Sequence, residues 1–252
     1  MGVLERPDLM LVICDGDLPG LVAAFSAREA YVAWVHADRA REQNRPPGPI
    51  IWHPTPPGHT EGFSPRTEHA RRATSSAAMA RAASLRFECP GPGSPVCPEV
   101  AHGSVSTHDD PAGLAWPHDG PAATCLLASA CSAAVSMGRD GIVWPVQFES
   151  NGTPDIAPVS RAIDRALLVT RLWALDAWTH GRPGVHIETP YADLRDAQLA
   201  ELALDLGVPV ELCWWADAHE GGVGWAQRER WTRVLERAGW RPGTTADGVG
   251  SA

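Results

Sequence analysis

The stretch HIETPYADLRDAQLAELALDLGVPVEL, His186 to Leu212, decides how this chain folds. It reads as a strand end, a turn, an amphipathic helix and a second short strand over the last five residues. The helix is expected over Asp193 to Asp205. Leu194, Leu199, Leu202 and Leu206 recur at the spacing that lines one face of a 3.6-residue period. Gly207 follows as the C-terminal stop, because glycine takes the left-handed backbone that closes a helix without penalty. Strand, helix and strand in sequence predict a parallel sheet with helices on its faces.

Outward from that stretch the same alternation continues. Asp8 to Cys14 is a short apolar run ended by Asp-Gly, as a buried parallel strand is. Leu21 to Arg28 reads as a helix and Tyr31 to His36 as a second strand, making a βαβ unit. Thr67 to Leu85, without Pro or Gly, predicts a helix. Ala123 to Met137, without charge, predicts a buried one, and Gly141 to Gln147 another buried strand. Val159 to Trp178 places Ile163, Leu167, Leu168, Leu172 and Leu175 at helical spacing, and Trp225 to Ala238 suits a last helix. Pro, Gly and His crowd about residues 43–66 and 89–121, which read as irregular insertions with at most one short strand. The expectation is a single α/β domain over residues 1–240, a doubly wound parallel sheet, with a fraying tail at 241–252.

Composition narrows the function. The chain has 252 residues and a net charge of −9, so nucleic acid gains no bulk electrostatic help and is not an expected partner. All basic character is arginine, which leaves no lysine for a Schiff base or a phosphate contact. Six cysteines without a CxxC pair read as scattered buried thiols in a reducing cytoplasm. There is no signal-like N-terminus, and Ala122 to Met137 is too short and too rich in Ala and Ser to span a bilayer. No membrane partner is expected.

The residues Glu188-Thr189-Pro190, Asp193-Leu194, Ala197, Leu206-Gly207-Val208-Pro209, Glu211-Leu212 and Trp214 follow the order of a known motif. In it, "ETP" leads to "DLSKAEI" and "LGVPxELTWSC", and the stretch resembles the 7-cyano-7-deazaguanine synthases on those residues. Weaker echoes run from Asp8 to Gly239, including Pro154-Asp155 for "YPDCR". The resemblance implies an ATP-pyrophosphatase fold of the adenine nucleotide alpha-hydrolase-like type. It also implies an ATP- and Mg²⁺-dependent ligase of the queuosine-precursor pathway, closed by a structural zinc. The phosphate-loop positions would be Cys14, Asp15, Gly16 and Asp17, with Arg195 and Asp196 at the second phosphate contact. Asp155, Glu188 and Thr189 would lie in the substrate pocket.

Position by position, the chemistry departs from that pattern. The family's SGGxDS loop becomes Cys14-Asp15-Gly16-Asp17-Leu18-Pro19, which sets two carboxylates where a polyphosphate would sit. A divalent ion on Asp15 and Asp17 is the alternative to an ordinary Asp-Gly turn. The family's phosphate lysine is Asp196, a charge reversal beside Arg195. The "PGRN" arginine becomes Asp119, and Ile156 and Ala157 replace cysteine and arginine of "PDCR". The four zinc cysteines fall on Ala216, Val223, Ala226 and Glu229, with Cys213 standing alone, so no zinc is expected. No cofactor is expected. His36, His53, His59 and His69 read as surface loop residues, and Trp214, Trp215, Trp225 and Trp231 as replacement core or a stacking platform. Gly221-Gly222-Val223-Gly224 reads as a turn. These departures predict a catalytically impaired pseudoenzyme kept as a binding or interaction protein, with a purine-like ligand or a homodimer as partner. The alternative is an active ligase or hydrolase with altered phosphate-site chemistry.

Overall fold

The computed structural model describes residues 6–54, 68–90, 120–148, 155–180, 184–222 and 224–241. Five short strands form one parallel sheet: β1 (Met10–Ile13), β2 (Ile50–Trp52), β3 (Arg86–Glu88), β4 (Gly141–Val143) and β5 (His186–Glu188). Their order is β3-β2-β1-β4-β5. β1 is central and alternates strictly: Met10 and Val12 enter one core, Leu11 and Ile13 the other. Both faces are therefore covered, as a parallel sheet requires. Helices α1 (Leu18–His36), α3 (Glu68–Ala82), α6 (Asp196–Asp205) and α7 (Trp225–Arg237) pack on the first face. Helices α4 (Gly120–Ser136) and α5 (Ile156–His180) cover the second, and the five-residue α2 (Arg39–Gln43) contacts α1. The doubly wound α/β class expected from the sequence is the class observed.

Three local expectations are corrected. Tyr31 to His36 is the end of α1, not a strand. Nothing between Arg28 and Tyr31 stops a helix, and Tyr31 and Val35 are buried one turn apart, at 5% and 3% exposure. The second strand is Ile50–Trp52, three buried residues between prolines inside the stretch read as an irregular insertion. Residues 208–212 form no strand: Pro209 lacks a donor, and i→i+3 bonds from Leu212 and Cys213 wind Val210–Leu212 into a 3₁₀ turn. Gly207, at φ +60°, ends α6 as expected. Most of the second insertion lies outside the described residues, as do the tail beyond 241, Asp119, Val223 and His59.

Helix α5 forms where the spacing predicts it. Its periodicity is helical, but the apolar stripe points outward: Leu168, Leu172 and Leu175 are 58%, 61% and 68% exposed. The buried side is built instead from Ala162, Ala166 and Val169, with Trp173 partly buried beside them. Small residues let the helix backbone approach α4 and the sheet, so the wider side chains are left outside. No described helix is long and apolar enough to cross a membrane.

Candidate functional site

In a doubly wound sheet, ligands bind outside the carboxyl ends of the strands where the order reverses, here between the loops after β1 and β4. Each of these loops is engaged by the protein's own side chains.

The β1 loop carries Cys14, Asp15, Gly16 and Asp17. Asp15 Oδ1 accepts from the Asp17 N–H at 3.1 Å, an Asx turn that folds the loop on itself. Its other oxygen faces Arg72 Nη1 at 3.1 Å. Arg72, on the first turns of α3, also donates to Glu68 at 2.7 Å and lies over the Trp214 ring, 4.1 Å from its centroid. The Arg72 side chain is only 6% exposed. Asp17 caps α1, its Oδ1 accepting from Leu18 N–H at 2.7 Å and from Trp215 Nε1–H at 2.7 Å. Burial pushes the Asp15 and Asp17 carboxyls above the usual carboxylate range. For Asp17 the neighbouring Asp15 adds to the shift, and Arg72 opposes it in both.

Gly16 shows how tightly the loop is closed. It sits at φ +84°, and a Cβ there would lie 2.7 Å from the Arg72 carbonyl oxygen. Its own carbonyl accepts from Trp214 N–H at 3.0 Å. A glycine that would let phosphate approach a backbone here admits the backbone of α3. Cys14 is wholly buried against Met79, its Sγ 3.6 Å from Met79 Sδ, and burial pushes the thiol up to about 12. It is a core residue.

Behind the loop, His53 corrects the reading of surface histidines: it is fully buried at the end of β2. Its Nδ1 lies 2.9 Å from the Cys14 carbonyl and 3.1 Å from Ser76 Oγ, so β1, β2 and α3 are joined at this point. His36 is exposed as expected, 3.4 Å from Glu42.

The β4 loop is held by a second network. Asp196, 2% exposed, opens α6 and receives both Arg230 Nε and Nη2 at 2.8 Å. Gln147 completes it, donating to Asp196 Oδ1 at 2.8 Å and accepting from Arg230 Nη2 at 2.9 Å. Arg230 also stacks on Trp231, 4.5 Å from the ring centroid. The charge-reversed position thus ties α6 to α7 and to the β4 loop. Arg195, in contrast, is exposed and turns back onto Gln198.

The remaining candidates stand apart from these networks. Exposed Asp155 caps α5 through Ala157 N–H at 3.0 Å. Glu188 closes β5 and pairs with His186 Nε2 at 3.4 Å, a hydrogen-bonded contact that raises the His186 pKa. The Thr189 carbonyl accepts from Ala192 N–H at 3.4 Å. Of the zinc positions, Ala216 packs against the core, Ala226 is exposed, and Glu229 pairs with Arg233 at 2.6 Å. Among the described residues no three His, Cys, Asp or Glu side chains gather as metal ligands. Burial raises the Cys213 thiol well above its ordinary value. The residues present fit neither a tetrahedral zinc nor a polyphosphate. Two carboxylates, Asp15 and Glu68, pair with one guanidinium where the anion would sit, and the Asp17 carboxylate beside them caps α1.

The tryptophans are mainly core: Trp214, Trp215 and Trp231 are 7%, 2% and 0% exposed. Trp225 is half-buried and lines an open groove of about 630 Å³ beside α7, with His219, Arg228 and Glu236. Sequence reading missed Arg72, His53, Gln147 and Arg230. Only pairing across 34 to 57 residues reveals the two arginines, and no local motif marks them.

No family model matches the chain, and no curated protein does. Among solved structures it is similar to the U34-tRNA thiolase NcsA from Methanococcus maripaludis, described with its [4Fe-4S] cluster. The identity is 12%, over 96% of this chain and 79% of that one, at a TM-score of 0.41. A likeness that loose bears on neither the activity nor the ligands of this chain.

Proposed function

We propose that this chain is a diverged relative of the 7-cyano-7-deazaguanine synthases. In this reading it has lost ATP-dependent chemistry and serves as a binding or interaction protein. The observation that carries the reading is the seat of Arg72 between Asp15, Glu68 and the Trp214 ring. In a phosphate loop the cation and backbone donors face an anionic ligand. Here the cation is already matched by the protein's own carboxylates, and a polyphosphate would have to displace them against like charge. The Asp196–Arg230–Gln147 network supports the same reading, because it ties α7 to the sheet by side chains where the family uses a metal.

The test is turnover of the purified chain with Mg²⁺-ATP, ammonia and 7-carboxy-7-deazaguanine, followed by release of AMP. The reading expects none above the uncatalysed background. AMP formed at an ordinary enzymatic rate, about 1 s⁻¹ or faster, would overturn it in favour of an active ligase with rebuilt phosphate chemistry.

A further inference from the structure

Among the described residues, the outward stripe of α5 is the largest apolar feature that the carboxyl-end networks leave unused. Seven large apolar side chains of this one helix are exposed, from Ile163 at 39% to Trp178 at 89%. Together they present on the order of 800 Å², about one partner's share of a standard interface and more than a monomer ordinarily leaves in one patch. At about 100° per residue they cover roughly half the helix circumference.

Two charges lie in the middle of that face, Asp164 and Arg171, seven residues and thus about 10.5 Å apart along the axis. Both are exposed, and neither forms an ion pair among the described residues. Their opposite signs make the face complementary to itself when a second helix runs antiparallel.

We propose that α5 is the interface of a two-fold homodimer. The axis passes between Leu167 and Leu168, so that Asp164 meets the partner's Arg171 and Arg171 meets the partner's Asp164. Leu167 then packs on the partner's Leu167 and Leu168 on the partner's Leu168, one pair on each side of the charged centre line. The pairing is isologous, as two-fold contacts are, and it sets the two charge pairs symmetrically about a leucine centre. The chain's own residues 91–119 are a poor alternative cover, because they hold few long apolar side chains. This inference stands whether or not the β1 loop binds a nucleotide.

Sedimentation equilibrium of the full chain tests it between about 1 and 100 µM, where an interface of this size associates. The expected mass is twice 26.9 kDa. Leu168→Glu is expected to give monomer across the range, with an unchanged thermal midpoint extrapolated to low concentration. Asp164→Arg and Arg171→Asp each set like charges face to face twice and weaken the dimer at least about tenfold. The double swap restores it to within about threefold of the parent, since both pairs re-form with reversed sign. A parent chain that stays monomeric overturns the proposal and leaves the face to another protein or to residues 91–119. A dimer indifferent to Leu168→Glu and to both single reversals also overturns it, because another face then holds the copies together.

Discussion

Replacing Arg72 by methionine keeps most of the aliphatic stem and removes the guanidinium that pairs with Asp15 and Glu68. With it go an ion pair at 3.1 Å, a second at 2.7 Å, and the stack on Trp214. The side chains involved are 6%, 17% and 11% exposed for Arg72, Asp15 and Glu68. Breaking a buried pair from one side costs about 3–5 kcal/mol, because a charge is stranded away from water. Asp15 keeps the Asp17 N–H and some access to solvent, so the lower end, about 3 kcal/mol at pH 7.5, is the expected loss. The loss depends on pH with a definite sign. Without Arg72 the native Asp15 and Asp17 pKa values rise further above their unfolded values, and the penalty belongs to the charged forms. It is present at neutral pH and fades as pH falls through those raised native values. Urea unfolding followed by tryptophan fluorescence should therefore show a loss near 3 kcal/mol at pH 7.5 and about 1 kcal/mol at pH 4.5. A loss below about 0.5 kcal/mol at pH 7.5, or equal losses at both pH values, would refute the reasoning.

Other substitutions probe the same closure. Arg230→Leu leaves Asp196 buried without its bidentate partner and should cost about 3–4 kcal/mol. Adding Asp196→Leu should recover roughly half of that, and additive losses in the double variant would argue against the network. Gly16→Ala combines a left-handed backbone with a 2.7 Å approach to the Arg72 carbonyl, and should lower stability by about 2–3 kcal/mol in thermal melts. Asp17→Asn keeps an oxygen for Leu18 and Trp215 but removes the charge beside Asp15. A carboxyl with a raised native pKa contributes stability at low pH that is lost as pH rises through that value. The amide should therefore be about 1 kcal/mol more stable than the parent at pH 7.5, with the gain vanishing near pH 4; destabilisation at neutral pH would count against the account.

The parts of the fold that are legible in the sequence are those set by local stereochemistry. Gly207 stops α6 at the expected position, and β1 and β4 are short apolar runs. The rest depends on contacts distant in sequence. Tyr31 to Val35 has strand-forming residues, yet α1 carries them because their spacing also fits a turn of helix facing the core. Ile50–Trp52 is too short for any pattern and is hidden by flanking prolines. In α5 the period is legible and the direction is not, because periodicity says which side chains share a face and not which face is inward. There, close packing favours Ala162 and Ala166 over the leucines. At the site, the reversed charges are visible in the sequence, but their partners are not: Arg72 is 57 residues from Asp15, and Arg230 is 34 from Asp196. The carboxylates therefore read as an obstacle to phosphate, whereas the structure uses each in an ion pair or a helix cap.

By the reading proposed above, the protein's own ion pairs close the carboxyl end of the sheet to polyphosphate. The most direct measurement is calorimetric titration of Mg²⁺-ATP into the full chain at pH 7.5. The account predicts no binding heat with ATP up to about 1 mM, an affinity weaker than about −4 kcal/mol. Saturable binding tighter than about 100 µM that is lost in Arg72→Met would contradict it, since Arg72 would then be holding a phosphate and not closing the loop against one.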